Sequence, residues 1–244
     1  MPFSILIAML ILGIFLKSPT VKGFLGELGV RFALRKLDKE KFKVIHDITL
    51  QNGEKTAQID HIVIGTNGIF VIETKNYKGW IFGSERASKW TQTIYKSKKR
   101  FQNPIHQNYG HIKVLERSVP DFPRALISII NFSSNSTLKA IDVQSQEIHV
   151  LQTPLLVKTI LSYNEEFLSA QQAEQYAGQI EQARLSGRDV KRKHVQDIKQ
   201  TQQSKQKLVK GNQCPKCGQP LIARKGKHGS FKGCTAYPRC RFTA

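Results

Sequence analysis

Residues 58–75 read QIDHIVIGTNGIFVIETK. Two runs rich in β-branched and aromatic side chains, 59–64 and 69–74, flank Gly65-Thr66-Asn67-Gly68. β-Branched residues fit a pleated backbone, and Asn-Gly adopts the positive angles of a tight reversal, so the stretch predicts a β-hairpin. Ile62, Val63, Ile64, Ile69, Phe70, Val71 and Ile72 are apolar at consecutive positions and therefore on both faces. That pattern predicts central strands covered on both sides. Charged residues stand at the end of this buried pair: Asp60, Glu73 and Lys75. Glu73 and Lys75 are two apart and share a face. A two-residue Asn67-Gly68 turn would set Asp60 opposite Lys75, whereas a Gly65–Gly68 loop would set it opposite Glu73. Any even loop puts all three on one face. His61 then points to the other face and reads as structural.

Carboxylates held side by side repel, and a divalent cation removes that penalty. Mg²⁺ takes one or two carboxylates plus water and phosphate oxygens, and it activates water and polarises phosphorus. A nearby Lys75 suits the charge that builds on a phosphate under attack. A solvated hairpin face with an incidental ion pair is the plainer alternative. The apolar flanks argue against it, because charges at the end of buried strands need a reason.

Outward from the hairpin, residues 23–37 predict a helix with Phe24, Leu25, Leu28 and Phe32 on one side. Residues 42–50 predict a strand closed by Gln51-Asn52-Gly53-Glu54. Gly79, Trp80, Phe82, Gly83 and Trp90 predict further short strands, with both tryptophans in the core. Asn103-Pro104 opens a helix carrying Ile105, Tyr109, Ile112 and Leu115 at helical spacing. Residues 126–132 and 147–151 predict strands, and 154–161 and 170–185 predict helices. Residues 186–212 are basic, rich in Gln and poor in large apolar groups, as in a linker or an exposed helix. The fold class is α/β, more narrowly an α+β mixed sheet with a helix ahead of the strands.

Gln58-Ile59-Asp60-His61 followed by residues 71–79, VIETKNYKG, resembles the NERD (nuclease-related) domain. That family is similar in its core motif to the PD-(D/E)xK restriction-endonuclease-like nucleases. Gly26-Glu27-Leu28-Gly29 and Asn103-Pro104 with Gln107 extend the resemblance over residues 23–116. The resemblance implies a restriction-endonuclease-like core and a Mg²⁺- or Mn²⁺-dependent endo- or exonuclease. Asp60 and Glu73 would bind the metal, Lys75 would be catalytic, Glu27 would support them and Gln107 would contact substrate or metal. Between Arg86 and Arg100 lie six basic residues and no acidic one, interleaved with Trp90 and Tyr95. This run, including Lys96, Lys98, Lys99 and Arg100, reads equally as a phosphate contact or a solvated loop.

The cysteines, Cys214, Cys217, Cys234 and Cys240, lie in the last 31 residues. Cys214-x2-Cys217-Gly218 has the spacing of a zinc knuckle, and residues 221–224 and 229–232 predict a short hairpin between the two pairs. A segment this small has little apolar core, so structural Zn²⁺ would supply most of its folding free energy. His228 is not needed as a ligand, since thiolates complete the tetrahedron. The wide second pair, with Tyr237-Pro238 before Cys240, resembles the four-cysteine finger of bacterial type I topoisomerases. That resemblance implies a grip on single-stranded DNA, with Phe231, Tyr237 and Phe242 stacking and Arg224, Lys225, Lys232, Arg239 and Arg241 on the backbone. The topoisomerase catalytic domain has no counterpart here, so topoisomerase activity does not follow.

A formal net charge of +20 calls for a polyanionic partner, either nucleic acid or an acidic membrane face. The segment from Arg188 onward holds fifteen basic and two acidic residues. At the other end, residues 1–16 carry no charge, and Lys17 and Lys22 follow. The run is short for a bilayer span, but it lacks the leading positive segment and cleavage site of a signal peptide. It is read as a single-pass anchor that leaves the domains in the cytoplasm at the inner membrane, where cysteines stay reduced. The expected organisation is an anchor at 1–17, a nuclease-like domain at 22–165, a helix and basic linker at 166–212, and a zinc ribbon at 213–244. The leading function is a membrane-anchored DNA nuclease with a ribbon holding substrate. The rivals are a non-catalytic DNA-binding protein and a scaffold on anionic lipid.

Overall fold

Short reversals join the first three strands into an antiparallel meander. The structure, a computed structural model, describes residues 19–123, 126–226 and 229–244. It divides into two compact units, one ending at Ser186 and one beginning at Gly187. In the first, helix α1 (Pro19–Leu34) precedes β1 (Phe42–Asn52), β2 (Lys55–Gly65) and β3 (Gly68–Lys75). Gly53, at φ 62°, supplies the left-handed backbone of the β1–β2 turn. Thr66-Asn67 turns β2 into β3, with Gly65 paired to Gly68. This is the register in which residues 60 and 73 stand opposite each other.

Next come β4 (Gly79–Ser84), β5 (Lys89–Ile94), β6 (Ser97–Gln102) and helix α2 (Pro104–Ser118). They are followed by β7 (Leu126–Phe132), β8 (Ser136–Asp142), β9 (Ile148–Gln152), α3 (Thr153–Ser162) and α4 (Ala170–Gln182). The central sheet has the order β1-β2-β3-β7-β9, and a second sheet has the order β6-β5-β4-β8. β3 pairs parallel with β7, β7 with β9, and β4 with β8; the other pairings of these sheets are antiparallel. The fold is thus mixed α/β with mixed sheets.

Strand alternation sorts the apolar run into two cores. Ile62, Ile64, Ile69 and Val71 pack with Ile112 and Leu115 of α2 and with Ala173 and Ile180 of α4. Val63, Phe70 and Ile72 pack with Val30 and Leu34 of α1 and with Leu156 and Ile160 of α3. The central sheet is therefore a filled layer between two pairs of helices, and each fully buried aliphatic side chain contributes about 1.5–3 kcal/mol. A third cluster, with Ile81, Trp90, Ile105, Ile130 and Phe132, joins the second sheet to the central one.

Local expectations are corrected at several points. Among the described side chains of α1, Val30 and Leu34 are buried while Leu28 and Phe32 are exposed; with about 3.6 residues per turn, the two pairs lie on nearly opposite sides of the helix. Tyr109 of α2 is likewise exposed, and Asn108 and Ile112 hold the buried face. Trp80 is 51% exposed, whereas Trp90 is fully buried. Trp80 precedes inward-facing Ile81 on β4, so alternation turns it outward. Among the described residues no helix is long and apolar enough to cross a membrane. The anchor expected at 1–17 lies outside the described residues.

The second unit holds helix α5 (Arg188–Lys210) and the hairpin of β10 (Leu221–Gly226) and β11 (Gly229–Cys234). Its small core gathers Cys214, Cys234 and Cys240 around Leu221, with Val209, Ala236 and Phe242 against them.

Candidate functional site

The β2–β3 ladder stops at the pair His61–Ile72. Beyond it the Asp60 carboxylate takes over, with Oδ2 accepting from the Thr74 N–H at 2.8 Å. Glu73 and Lys75 follow on β3, on the face covered by α2. Lys75 Nζ lies 2.5 Å from Glu73 Oε1 and donates to Gln107 Oε1 at 3.0 Å. Glu73 is 2% exposed. His111 Nδ1 lies 3.3 Å from Glu73 Oε2. That is close enough for an ion pair but not aligned as a hydrogen bond, so both atoms lack a hydrogen-bonded partner.

Helix α2 is fixed for this task at its N-terminal cap and in its second turn. The Asn103 side chain caps it, accepting from the Ile105 N–H at 2.9 Å. The Asn103 amide donates to the carbonyls of Ser84, Glu85 and Ala87. Farther along, the buried Asn108 donates to the Val71 carbonyl and to Ser128 Oγ, both at 2.8 Å. These bonds tie the helix to β3 and β7, which sets Gln107 and His111 over Lys75 and Glu73.

The electrostatics follow from burial and proximity. Burial and the neighbouring Glu73 push the Asp60 carboxyl up to about 8, and Glu27 adds to the rise. Burial also raises Glu73, but Lys75 and His111 outweigh it and hold that carboxyl below its usual range. Lys75 is held above its ordinary value because Glu73 and Asp60 outweigh its own desolvation. The group therefore carries an ammonium, an ionised Glu73 and an Asp60 that keeps its proton near neutrality, so its charges balance only while Asp60 stays protonated.

Asp60, Glu73, Lys75 and Gln107 are thus brought together. Glu27 comes from α1, on the opposite face of the sheet, yet near enough for its charge to act on Asp60. The preceding Gly26 lets α1 pass close to Asn76, just beyond β3, since a Cβ there would meet Asn76 Cβ at 2.6 Å. His61 lies on the other face, fully buried, with its Nδ1 2.9 Å from His46 Nδ1. His111 was missed by the sequence reading. Its signal is the four-residue helical spacing from Gln107, which places both over one strand. A cavity of about 560 Å³, lined by Gly68, Leu126, His149 and Tyr163 among others, opens at the start of β3 and β7. It is at the opposite strand end from Lys75, so cavity size does not mark this site.

In the second unit the cysteine sulfurs lie within 4.8 Å of one another. Cys214 Sγ is 3.7 Å from Cys240 Sγ, and Cys217 Sγ is 3.3 Å from Cys234 Sγ. Disulfide sulfurs stand about 2.05 Å apart, whereas zinc–sulfur bonds of about 2.3 Å in a tetrahedron separate sulfurs by roughly 3.8 Å. Burial raises the Cys214 thiol, but the N–H groups of Lys216 and Cys217 pull it down to about 7. Gly218, at φ 75°, closes the knuckle, its N–H donating to the Cys214 carbonyl at 2.8 Å. The donor set fits structural Zn²⁺. Among the described residues no other group brings three potential ligands of this kind so close.

Beside the sulfurs, a groove of about 390 Å³ is lined by Arg224, Phe231, Tyr237, Arg241 and Phe242, among others. The Arg224 guanidinium sits 5.7 Å from the Tyr237 ring centroid, and Tyr237 is exposed. Lys232 departs from its expected place on the nucleic-acid backbone, because its amine donates to the Val209 carbonyl at 3.1 Å. Arg239 is exposed but does not line the groove.

The fold and these two centres define a mixed-sheet domain with a carboxylate–lysine cluster, followed by a four-cysteine ribbon. Residues 22–133 match the nuclease-related domain, NERD, and residues 211–244 match the topoisomerase DNA-binding C4 zinc finger. The chain belongs to the NERD family, with a topoisomerase-type finger at its C-terminal end. An uncharacterised protein of Bacillus anthracis is 43% identical over 72% of this chain and 84% of its own length. DNA topoisomerase 1 of Methanothermobacter thermautotrophicus is 57% identical over 30 residues, which span 12% of this chain and 4% of that enzyme. The crystal structure of a protein of unknown function, AF1548, covers 65% of this chain and 97% of its own at 12% identity, with a TM-score of 0.31. That likeness is too distant to bear on the fold.

Proposed function

We propose that this chain binds DNA and hydrolyses its phosphodiester bonds at the strand end occupied by Asp60, Glu73 and Lys75, while the ribbon holds the substrate. The observation that carries the reading is the convergence of these residues, with Gln107, on one buried face. Burial and Glu73 raise Asp60 to about 8, so its ionisation beside Glu73 calls for one further positive charge, which Mg²⁺ or Mn²⁺ would supply. Asp60 and Glu73 would hold the ion, which would supply Lewis-acid polarisation of the phosphate and acidify water. Lys75 stays protonated and places its ammonium where phosphate charge develops. Gln107 holds Lys75 by its amide oxygen, His111 flanks Glu73, and Glu27 adds negative charge from the opposite side.

Cleavage of plasmid and oligonucleotide DNA with Mg²⁺ and Mn²⁺ tests this reading, with Asp60→Asn and Lys75→Met as controls. Loss of cleavage in both variants with DNA binding kept is the expected result. A wild-type chain without activity, or variants as active as wild type, would sink the enzyme. One observation favours a second reading, a DNA-binding protein without turnover: Lys75 already occupies Glu73 Oε1 at 2.5 Å. We also place the chain at the inner membrane through residues 1–17, on the strength of their sequence. Fractionation of the full chain against a form lacking residues 1–17 checks this; equal release into the soluble fraction would refute it.

A further inference from the structure

The outer face of the four-stranded sheet is built from aromatic and cationic side chains. Trp80 of β4 stands opposite Thr93 of β5 and Thr137 of β8, and Thr93 stands opposite Lys98 of β6. The next row on this face carries Phe82, Thr91 and Arg100. Ile81, Trp90 and Phe101 point the other way, into the core. Trp80 is 51% exposed, and Lys139 Nζ lies 5.2 Å from the centroid of its ring. At the β5–β6 turn, Tyr95 is 97% exposed and held at φ 50°. A groove of about 480 Å³ runs between them, lined by Lys78, Gly79, Trp80, Thr93, Ile94 and Tyr95. At its base Gly79 lets β4 approach β5 closely, since a Cβ there would lie 2.4 Å from the Thr93 carbonyl oxygen. The nearby carboxylates stand off from this groove. Asp142 is opposite Ser84 at the far end of β4, and Glu85 is engaged by Ser145 and Gln144.

We propose that this face is a single-stranded nucleic-acid platform, with bases stacking on Trp80 and Tyr95 and with Lys98, Arg100 and Lys139 on the phosphates. The inference rests on the DNA-binding reading above and adds a second grip within the first unit. Exposed aromatic rings among cations on an open sheet face suit unpaired bases, because every base offers a π-face and the backbone charge needs neutralising. Duplex DNA hides its base faces. The platform is also close to the candidate cluster, since β4 begins four residues after Lys75 and at most about 14 Å of extended chain separates them.

The chain contains two tryptophans, and Trp90 is fully buried and stacked on Phe132, so emission that responds to a ligand reports Trp80. The test titrates the full zinc-loaded chain with a short oligothymidylate, without added Mg²⁺, and follows tryptophan fluorescence. The expected result is quenching that disappears in Trp80→Phe while affinity stays within a few-fold, because the ring still stacks. Trp80→Ala, in a Tyr237→Ala background that weakens the ribbon, should lower affinity roughly 5- to 100-fold. Lys98→Ala and Arg100→Ala should each lower the salt slope by about 0.7. Binding without quenching, and without loss in Trp80→Ala, would overturn the platform and leave the ribbon as the grip. Equal quenching by a blunt duplex would overturn the preference for single strands. A chain that binds no nucleic acid would overturn the DNA-binding reading itself, and absence of cleavage bears on neither outcome.

Discussion

Replacing Lys75 by Met removes the ammonium that touches Glu73 Oε1 at 2.5 Å, while nearly preserving side-chain length. The side chains of Glu73 and Lys75 are 3% and 16% exposed, so water cannot replace the lost partner. Breaking a buried ion pair from one side costs about 3–5 kcal/mol, whereas neutralising both partners is often close to neutral. Lys75→Met should therefore destabilise the first unit by about 3–5 kcal/mol, a fall of roughly 6–20 °C for a unit of this size. Lys75→Met combined with Glu73→Gln should lose less than Lys75→Met alone, with a coupling energy of about 2 kcal/mol or more. Urea unfolding in zinc-containing buffer, followed through the emission of buried Trp90, reads the first unit. A loss below about 1 kcal/mol in Lys75→Met, or strictly additive effects in the double variant, would refute the picture of a buried, charge-balanced cluster.

Other outcomes follow from the same packing. A Cβ at residue 83 would lie 2.1 Å from Trp90 Cδ2, so Gly83→Ala should cost about 3 kcal/mol or more and shift Trp90 emission to the red; an unchanged melting temperature would count against this packing. The His61 ring, lowered to about 3 by burial and by His46, folds neutral and is protonated more readily when unfolded. Its stabilising contribution is complete above pH about 6.5 and is lost as pH falls toward 3, at up to about 1.4 kcal/mol per pH unit. His61→Gln should therefore flatten the acid limb of the stability profile; parallel limbs in the two proteins would remove His61 as the cause. Chelation should release one zinc per chain and unfold the ribbon while Trp90 emission stays constant. Metal analysis without zinc, or a ribbon whose circular dichroism ignores the chelator, would contradict the four-thiolate site.

Much of this was legible locally. The hairpin at 59–74 is written in β-branched residues and a Gly-Thr-Asn-Gly reversal, and an even loop sufficed to put Asp60, Glu73 and Lys75 on one face. The cysteine spacing likewise carried its own geometry, because a knuckle is a contact between near neighbours. Strand β8 was missed because its residues, Ser136–Asp142, are mostly half-buried or exposed and show no apolar run. It is held by parallel pairing with β4, a partner more than fifty residues away.

What the sequence determined by itself was therefore the central strands, the shared face of the charged residues and the ribbon's ligands, all of which depend on short-range periodicity and spacing. Tertiary structure decided which face of α1 meets the sheet, that Trp80 turns outward while Trp90 is buried, and that His111 joins Glu73. It also selected the register that opposes residues 60 and 73, and it brought Glu27 near enough for its charge to act on Asp60. These depend on how separate elements pack, and steric fit between surfaces distant in the chain leaves no periodic trace in the sequence.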